Sequence, residues 1–279
     1  MSINKFKTAA LSVVAASVLS SPATQAATTI NVAVAANFTA TITQLISTFK
    51  LLYPGTDVKF TSDSSANLQA AIINKTATYD LFLSADKARP QTLATTYPTL
   101  IVGSPFLYAV GELELWSPTF NISGGLANPI PVPIVLADPN KAPYGTAAAQ
   151  VLSTSPWSIP WVPGAAYPPA GTANVFTKPN ISLTYSAVKS GAYAYGFIAQ
   201  SSICKLVGGV KTFSSGFHHS YPFTDATHPH AEIAQYAIKV ANSARTAAQE
   251  TELTNFINFL TTNTTGKTIV KSYCYSLAL

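Results

Sequence analysis

Residues Val32 to Thr39 read Val-Ala-Val-Ala-Ala-Asn-Phe-Thr, an apolar strand that passes through a small polar turn directly into an apolar-periodic segment. The strand is predicted over Thr29 to Val34 and the helix over Thr39 to Leu52, where Ile42, Leu45, Ile46 and Phe49 recur at helical spacing. The same grammar returns about 25 residues later. A strand over Asp57 to Phe60 leads through Ser62-Asp63-Ser64-Ser65 into a helix over Ser65 to Asn74. Each junction leaves a helix N-terminus whose first amides have no intrahelical acceptor and which carries the positive end of the macrodipole. Asn37 stands at one such mouth, and Ser64 and Ser65 at the other. Facing each other, the two would hold one oxyanion without an arginine or lysine.

The alternation of strands with helix-length segments continues and is the mark of βαβ units built on a parallel sheet. A short strand is expected at Leu81 to Leu83, flanked by Asp80 and Asp86, which are expected to cap the following helix and not to act as a catalytic carboxylate pair. Near Phe106 the character changes. Strands are predicted at Phe106 to Val110, Leu113 to Trp116, Pro133 to Ala137, Tyr195 to Ala199 and Ala234 to Val240. Helices are predicted at Tyr144 to Leu152, Ile181 to Ser190, Thr246 to Thr261 and Gly266 to Tyr273, with a short helical run from Gln200 to Cys204. Residues 153–176 carry five prolines and two tryptophans and read as an irregular insertion, with Trp157 and Trp161 pinning it to its lobe.

The first 26 residues read as an export signal. Lys5 and Lys7 form a positive start, Ala9 to Leu19 an uncharged apolar stretch, and Thr24-Gln25-Ala26 a small-residue cleavage site. That stretch is too short to span a bilayer, and no other apolar run is long enough. A formal net charge of +5 becomes +3 once Lys5 and Lys7 are set aside, and the remaining excess is scattered, which argues against a nucleic-acid partner. Cys204 and Cys274 are the only cysteines. In an oxidising compartment they are either bridged, closing a loop worth roughly 3 to 4 kcal/mol, or two buried small apolar residues. His218, His219, His228 and His230 fall within 13 residues but lack regular ligand spacing, so the segment reads as a loop and not as a metal site. Ser64 and Ser65 have no base in any recognisable nucleophile motif, so no enzyme is expected.

Five segments stand in the order and spacing of a known family: Ala35-Ala36-Asn37-Phe38-Thr39, Ser64-Ser65, Asp80 to Asp86, Ala142-Pro143-Tyr144-Gly145 and Tyr195-Gly196-Phe197. From Thr29 to about Tyr275 the chain resembles the periplasmic molybdate-binding proteins of ABC importers. The resemblance implies an α/β, two-lobed periplasmic binding protein of type II, each lobe a mixed sheet flanked by helices, with the cleft between lobes. One lobe would comprise residues 27–107 plus 231–279 and the other residues 108–230, hinged near Leu107 and Tyr236. The ligand would be molybdate, and tungstate as well, with no cofactor and no directly bound metal cation. The partner would be an inner-membrane ABC permease, and the receptor a periplasmic monomer that does not itself span the membrane. Carried over by position, the contacts would come from Ala36, from the side chain and backbone of Asn37, from Ser65 with Ser64 beside it, and from the amides of Tyr144 and Ile181. Some relatives place a tyrosine where this chain has Ala199, and a compensating contact from Tyr144 is expected. The alternative is a receptor for another tetrahedral oxyanion, such as sulfate or phosphate, or for a small carboxylate.

Overall fold

The computed structural model describes residues 27–277, so the export signal expected at 1–26 lies outside the described residues. Two five-stranded sheets organise the chain. The first has the order β2-β1-β3-β12-β4, from β1 (Thr28–Ala35), β2 (Thr56–Asp63), β3 (Leu81–Leu83), β4 (Ile101–Gly111) and β12 (Ile233–Val240). Strands β2, β1 and β3 are parallel, whereas β12 runs antiparallel to both of its neighbours. The second has the order β11-β5-β8-β6-β7, from β5 (Leu113–Ser117), β6 (Ile134–Ala137), β7 (Val175–Lys178), β8 (Tyr195–Ala199) and β11 (Phe217–Tyr221). A separate hairpin pairs β9 (Cys204–Val207) with β10 (Val210–Phe213).

Side-chain alternation along β1 explains how the first sheet acquires two covered faces. Ile30, Val32 and Val34 pack with Ile42, Leu45 and Phe49 of α1 (Thr39–Leu52), with Phe256 of α6 (Ala247–Thr261) and with Val270 of α7 (Thr264–Ser272). Ala33 points the other way, to Phe82, to Leu68 and Ile72 of α2 (Ser65–Ile73) and to Leu93 of α3 (Ala88–Thr96). In the second sheet, Leu115, Leu136 and Phe197 pack on α4 (Pro143–Ser153). Its opposite face joins Trp116, Val135 and Ile198 to Val188 of α5 (Ile181–Lys189).

Several local expectations change. The histidine segment is partly strand, since His218 and His219 lie in β11 and pair with β5. Asp80 caps nothing: it is fully buried, accepts from the Asn31 amide and pairs with Arg245 at 3.0 Å, joining β3 to the loop before α6. Asp86 does act at a helix start, accepting from the Arg89 amide at 3.1 Å. The run after Gln200 is a single 3₁₀ turn (Gln200–Ser202), and Cys204 opens β9. The insertion ends earlier than expected because Val175 already pairs with Ile134. Trp157 donates to the Ala127 carbonyl at 3.2 Å and, with Trp161, packs against the core of the second sheet.

The chain passes between the sheets at Glu112, between β4 and β5, and again between β11 and β12. A third link is covalent: Cys204 and Cys274 form a disulfide. Cys204 belongs to the hairpin beside the second sheet, and Cys274 follows α7 beside the first.

Candidate functional site

Four chain turns converge where the two sheets meet. The C-terminal end of β1 runs into a 3₁₀ turn (Ala36–Phe38) and then α1, placing Asn37 inside that turn and not at the N-cap of the α-helix. Ser64 caps α2, accepting from the Asn67 amide at 3.2 Å, and its own amide is taken by Asp63. Ser65, the first residue of α2, accepts from the Ala85 amide at 3.0 Å. Its hydroxyl proton stays free for an acceptor, and its amide, at the first helical position, has no intrahelical one.

The second sheet supplies the other two turns. Pro143 opens α4, where its fixed φ and missing N–H are no handicap, and Tyr144 follows. Asn180 caps α5, accepting from the Leu183 amide at 3.0 Å, so Ile181 opens that helix. Ala36, Asn37, Ser64, Ser65, Tyr144 and Ile181 all line one small cavity between the sheets. Among the described residues no charged side chain lines it. A wider groove of about 680 Å³ opens beside Asn37, between α1, α5 and the β9–β10 hairpin. It gathers no comparable set of helix N-termini, so the small cavity is the candidate site.

Direct hydrogen bonds shut the cleft around this cavity. Ser182 donates to the Ala36 carbonyl at 2.8 Å, the Ala66 amide to the Lys141 carbonyl at 3.1 Å and Arg89 to the Asn140 carbonyl at 3.2 Å. Asn180 Nδ2 donates to Asp63 at 3.2 Å.

Behind the cavity lies a polar cluster that sequence reasoning missed. The Asn37 side chain is turned into it, Nδ2 donating to Gln235 Oε1 at 2.9 Å and to the Tyr275 hydroxyl at 3.0 Å. Gln235 Nε2 lies 3.3 Å from the Tyr144 hydroxyl, so that phenol serves the cluster and not the compensating contact expected of it. The Tyr275 hydroxyl bridges the Asn37 carbonyl at 3.0 Å and Ser201 Oγ at 2.9 Å. Burial pushes the Tyr275 phenol up to about 12 and raises those of Tyr144 and Tyr108 well above the ordinary value. All three are therefore neutral at physiological pH. One signal could have found the cluster: Gln235 occupies an inward position of β12, between the buried Ile233 and Ala237. A buried amide in that phase demands partners.

The histidines each have a partner of their own. His218 contacts Glu114 at 2.8 Å, His219 the Ser123 carbonyl at 2.9 Å, His228 Asp225 at 3.3 Å and His230 the Tyr221 carbonyl at 2.8 Å.

Comparison with known proteins agrees with this architecture. The molybdate-binding protein ModA of Azotobacter vinelandii is 33% identical over 191 residues, an alignment covering 64% of this chain and 69% of that protein. Its namesake from Rhodobacter capsulatus is 31% identical over 180 residues, covering 63% of this chain and 66% of that protein. The solved structure of the Azotobacter vinelandii periplasmic molybdate-binding protein superposes with a TM-score of 0.73 at 25% identity, covering 90% of this chain and all of that one. The family described as bacterial extracellular solute-binding protein matches residues 30–275, nearly the whole described chain, and this protein belongs to it.

Proposed function

We propose that the protein is a periplasmic receptor that captures molybdate, and tungstate with it, and delivers the ion to an inner-membrane ABC permease. It performs no chemistry and works as a monomer. The observation that carries this reading is the convergence of helix N-termini from both sheets on one cavity lined only by neutral residues. In a closed cleft every oxygen of a dianion needs a donor, because an unpaired buried charge costs several kcal/mol or more. Amides of the turn at Asn37 and of Ser65, Tyr144 and Ile181 meet that need, together with the Ser65 hydroxyl. Each bond to an ionised acceptor contributes about 1.5 to 3 kcal/mol. The Ser64 amide, engaged by Asp63, leaves Ser64 to hold the helix start in place.

Residues 27–107 with 231–279 form one lobe in this reading and residues 108–230 the other, with closure as a hinge motion about β4 and β12. The names of the similar proteins favour molybdate over sulfate, phosphate or a small carboxylate. Among the described residues no helix is long and apolar enough to cross a membrane. Calorimetric titration of the mature protein tests the assignment. Molybdate and tungstate are expected to bind at micromolar concentration or below with negligible response to sulfate and phosphate; sulfate binding as tight as molybdate overturns it.

A further inference from the structure

We propose that Asn37 and Gln235 form a reversible amide relay, anchored by Tyr108, whose polarity makes the cavity select proton-free oxyanions over hydrogen-bearing ones. The proposal rests on the cavity being an oxyanion site. Its starting point is an unpaired atom: among the described residues Asn37 Oδ1 is buried without a hydrogen-bond partner, on a residue that lines the cavity and is 7% exposed. An acceptor left free beside the ligand repels a bare dianion and welcomes the proton of hydrogen phosphate. With Nδ2 committed to Gln235 and Tyr275, the side chain thus offers an acceptor where an oxyanion needs a donor.

A half-turn of the Asn37 amide exchanges Nδ2 and Oδ1 and corrects this, and the surrounding groups permit it. Oδ1 then faces Gln235, which must turn as well, since two carbonyl oxygens cannot share a bond. After both turns Gln235 Nε2 donates across the 2.9 Å contact to Asn37 and across the 3.0 Å contact to the Tyr108 oxygen. The Tyr144 hydroxyl, 3.3 Å away, changes from acceptor to donor. Tyr275 turns its single proton from the Asn37 carbonyl to Oδ1 at 3.0 Å, and the Ser201 hydroxyl, 3.4 Å away, is left to serve that carbonyl. Every phenol here can give one proton and accept another, so the direction of the bonds reverses without displacing heavy atoms.

Tyr108 supplies the bias. Its single proton faces two acceptors in the unturned arrangement, the Ser84 carbonyl at 3.1 Å and Gln235 Oε1 at 3.0 Å. Once Gln235 has turned, the proton goes to Ser84 and the phenol oxygen accepts from Nε2, so both contacts become hydrogen bonds. The turned state presents Nδ2 to the ligand. Tyr108, remote from the cavity lining, is therefore a positioning residue for Asn37.

Tyr108→Phe keeps the ring packed on Phe38 and removes the bias, while Gln235→Met removes the relay at similar length. Molybdate, tungstate and phosphate are titrated at one pH into the wild type and both variants. Molybdate and tungstate affinity should fall together, by about fivefold to tenfold, while phosphate gains on them by at least that factor. A merely structural role lowers all three in step, and that result in both variants, or an unchanged ratio, overturns the relay. In the wild type, the ¹⁵N side-chain amide signal of Asn37, identified by its loss in Asn37→Asp, should move on adding molybdate. A signal that stays in place on saturation also overturns it. Wild-type protein that binds no molybdate defeats the oxyanion reading itself, whereas binding without the altered ratio defeats the relay alone.

Discussion

Ser64 and Ser65 are neighbours with different work. Ser64 engages its amide with Asp63 and its oxygen with the Asn67 amide at the start of α2, whereas Ser65, whose oxygen accepts from the Ala85 amide, keeps an orphan amide at the cavity. Ser65→Ala should weaken molybdate binding by about 1 to 3 kcal/mol, the range for a lost bond to a charged acceptor. Ser64→Ala should act on stability, by about 0.5 to 2 kcal/mol as for other N-caps. Calorimetry and thermal denaturation of the two variants separate these effects. Asn37 and Ser65 stand out in the sequence by their strand-to-helix junctions, Tyr144 and Ile181 only by the family resemblance, and all four line the cavity. The partners of Asn37 could not be placed, because Gln235, Ser201 and Tyr275 reach it only through the fold, 198, 164 and 238 residues away along the chain.

At the level of elements, the long periodic segments were legible and the short polar ones were not. α1 runs from Thr39 to Leu52 as its apolar spacing requires, and β3 and β8 have the limits expected of them. α3, expected only as a helix following β3, could not be given limits because it buries only Pro90 and Leu93, which leaves no readable apolar stripe. β10 and β11 escaped because Val210, Lys211 and Thr212 are exposed and the histidines of β11 resemble a loop. The start of α4 depends on a close approach: a Cβ on Gly145 would lie 2.2 Å from the Ala137 carbonyl oxygen. Gly145→Ala should push α4 off β6, lowering the melting temperature and, by displacing the Tyr144 amide, molybdate affinity as well. Circular dichroism melts and titration of the same variant measure both. α6 is held to the first sheet by charge. Hydrogen bonds from Lys239 and Arg245 draw the Glu250 carboxyl below its ordinary range. A depressed folded pKa stabilises above the unfolded value and loses that contribution as pH falls through the folded one. Glu250→Gln should therefore narrow the stability difference between neutral and acidic pH, read as melting temperature from pH 7 down to about 3.

For the molecule as a whole, the sheets are joined by two backbone passages and by the Cys204–Cys274 bond, and the cleft is closed by Ser182, Ala66, Arg89 and Asn180. Sequence alone left the cysteines undecided, because only the packing of β9 against the segment after α7 brings them together. Replacing both by serine should cost about 2 to 4 kcal/mol of stability. The same variant should show a larger radius of gyration than the oxidised protein by small-angle scattering without molybdate, and an equal one with it. Such a result would give the sulfur bridge a mechanical meaning beyond stiffening. A clamshell with two flexible straps can gape widely, but one riveted at a third point has a stop built into its swing. Formation of the bridge would then set how far the empty receptor yawns, and so how short a path remains before it snaps shut on its cargo.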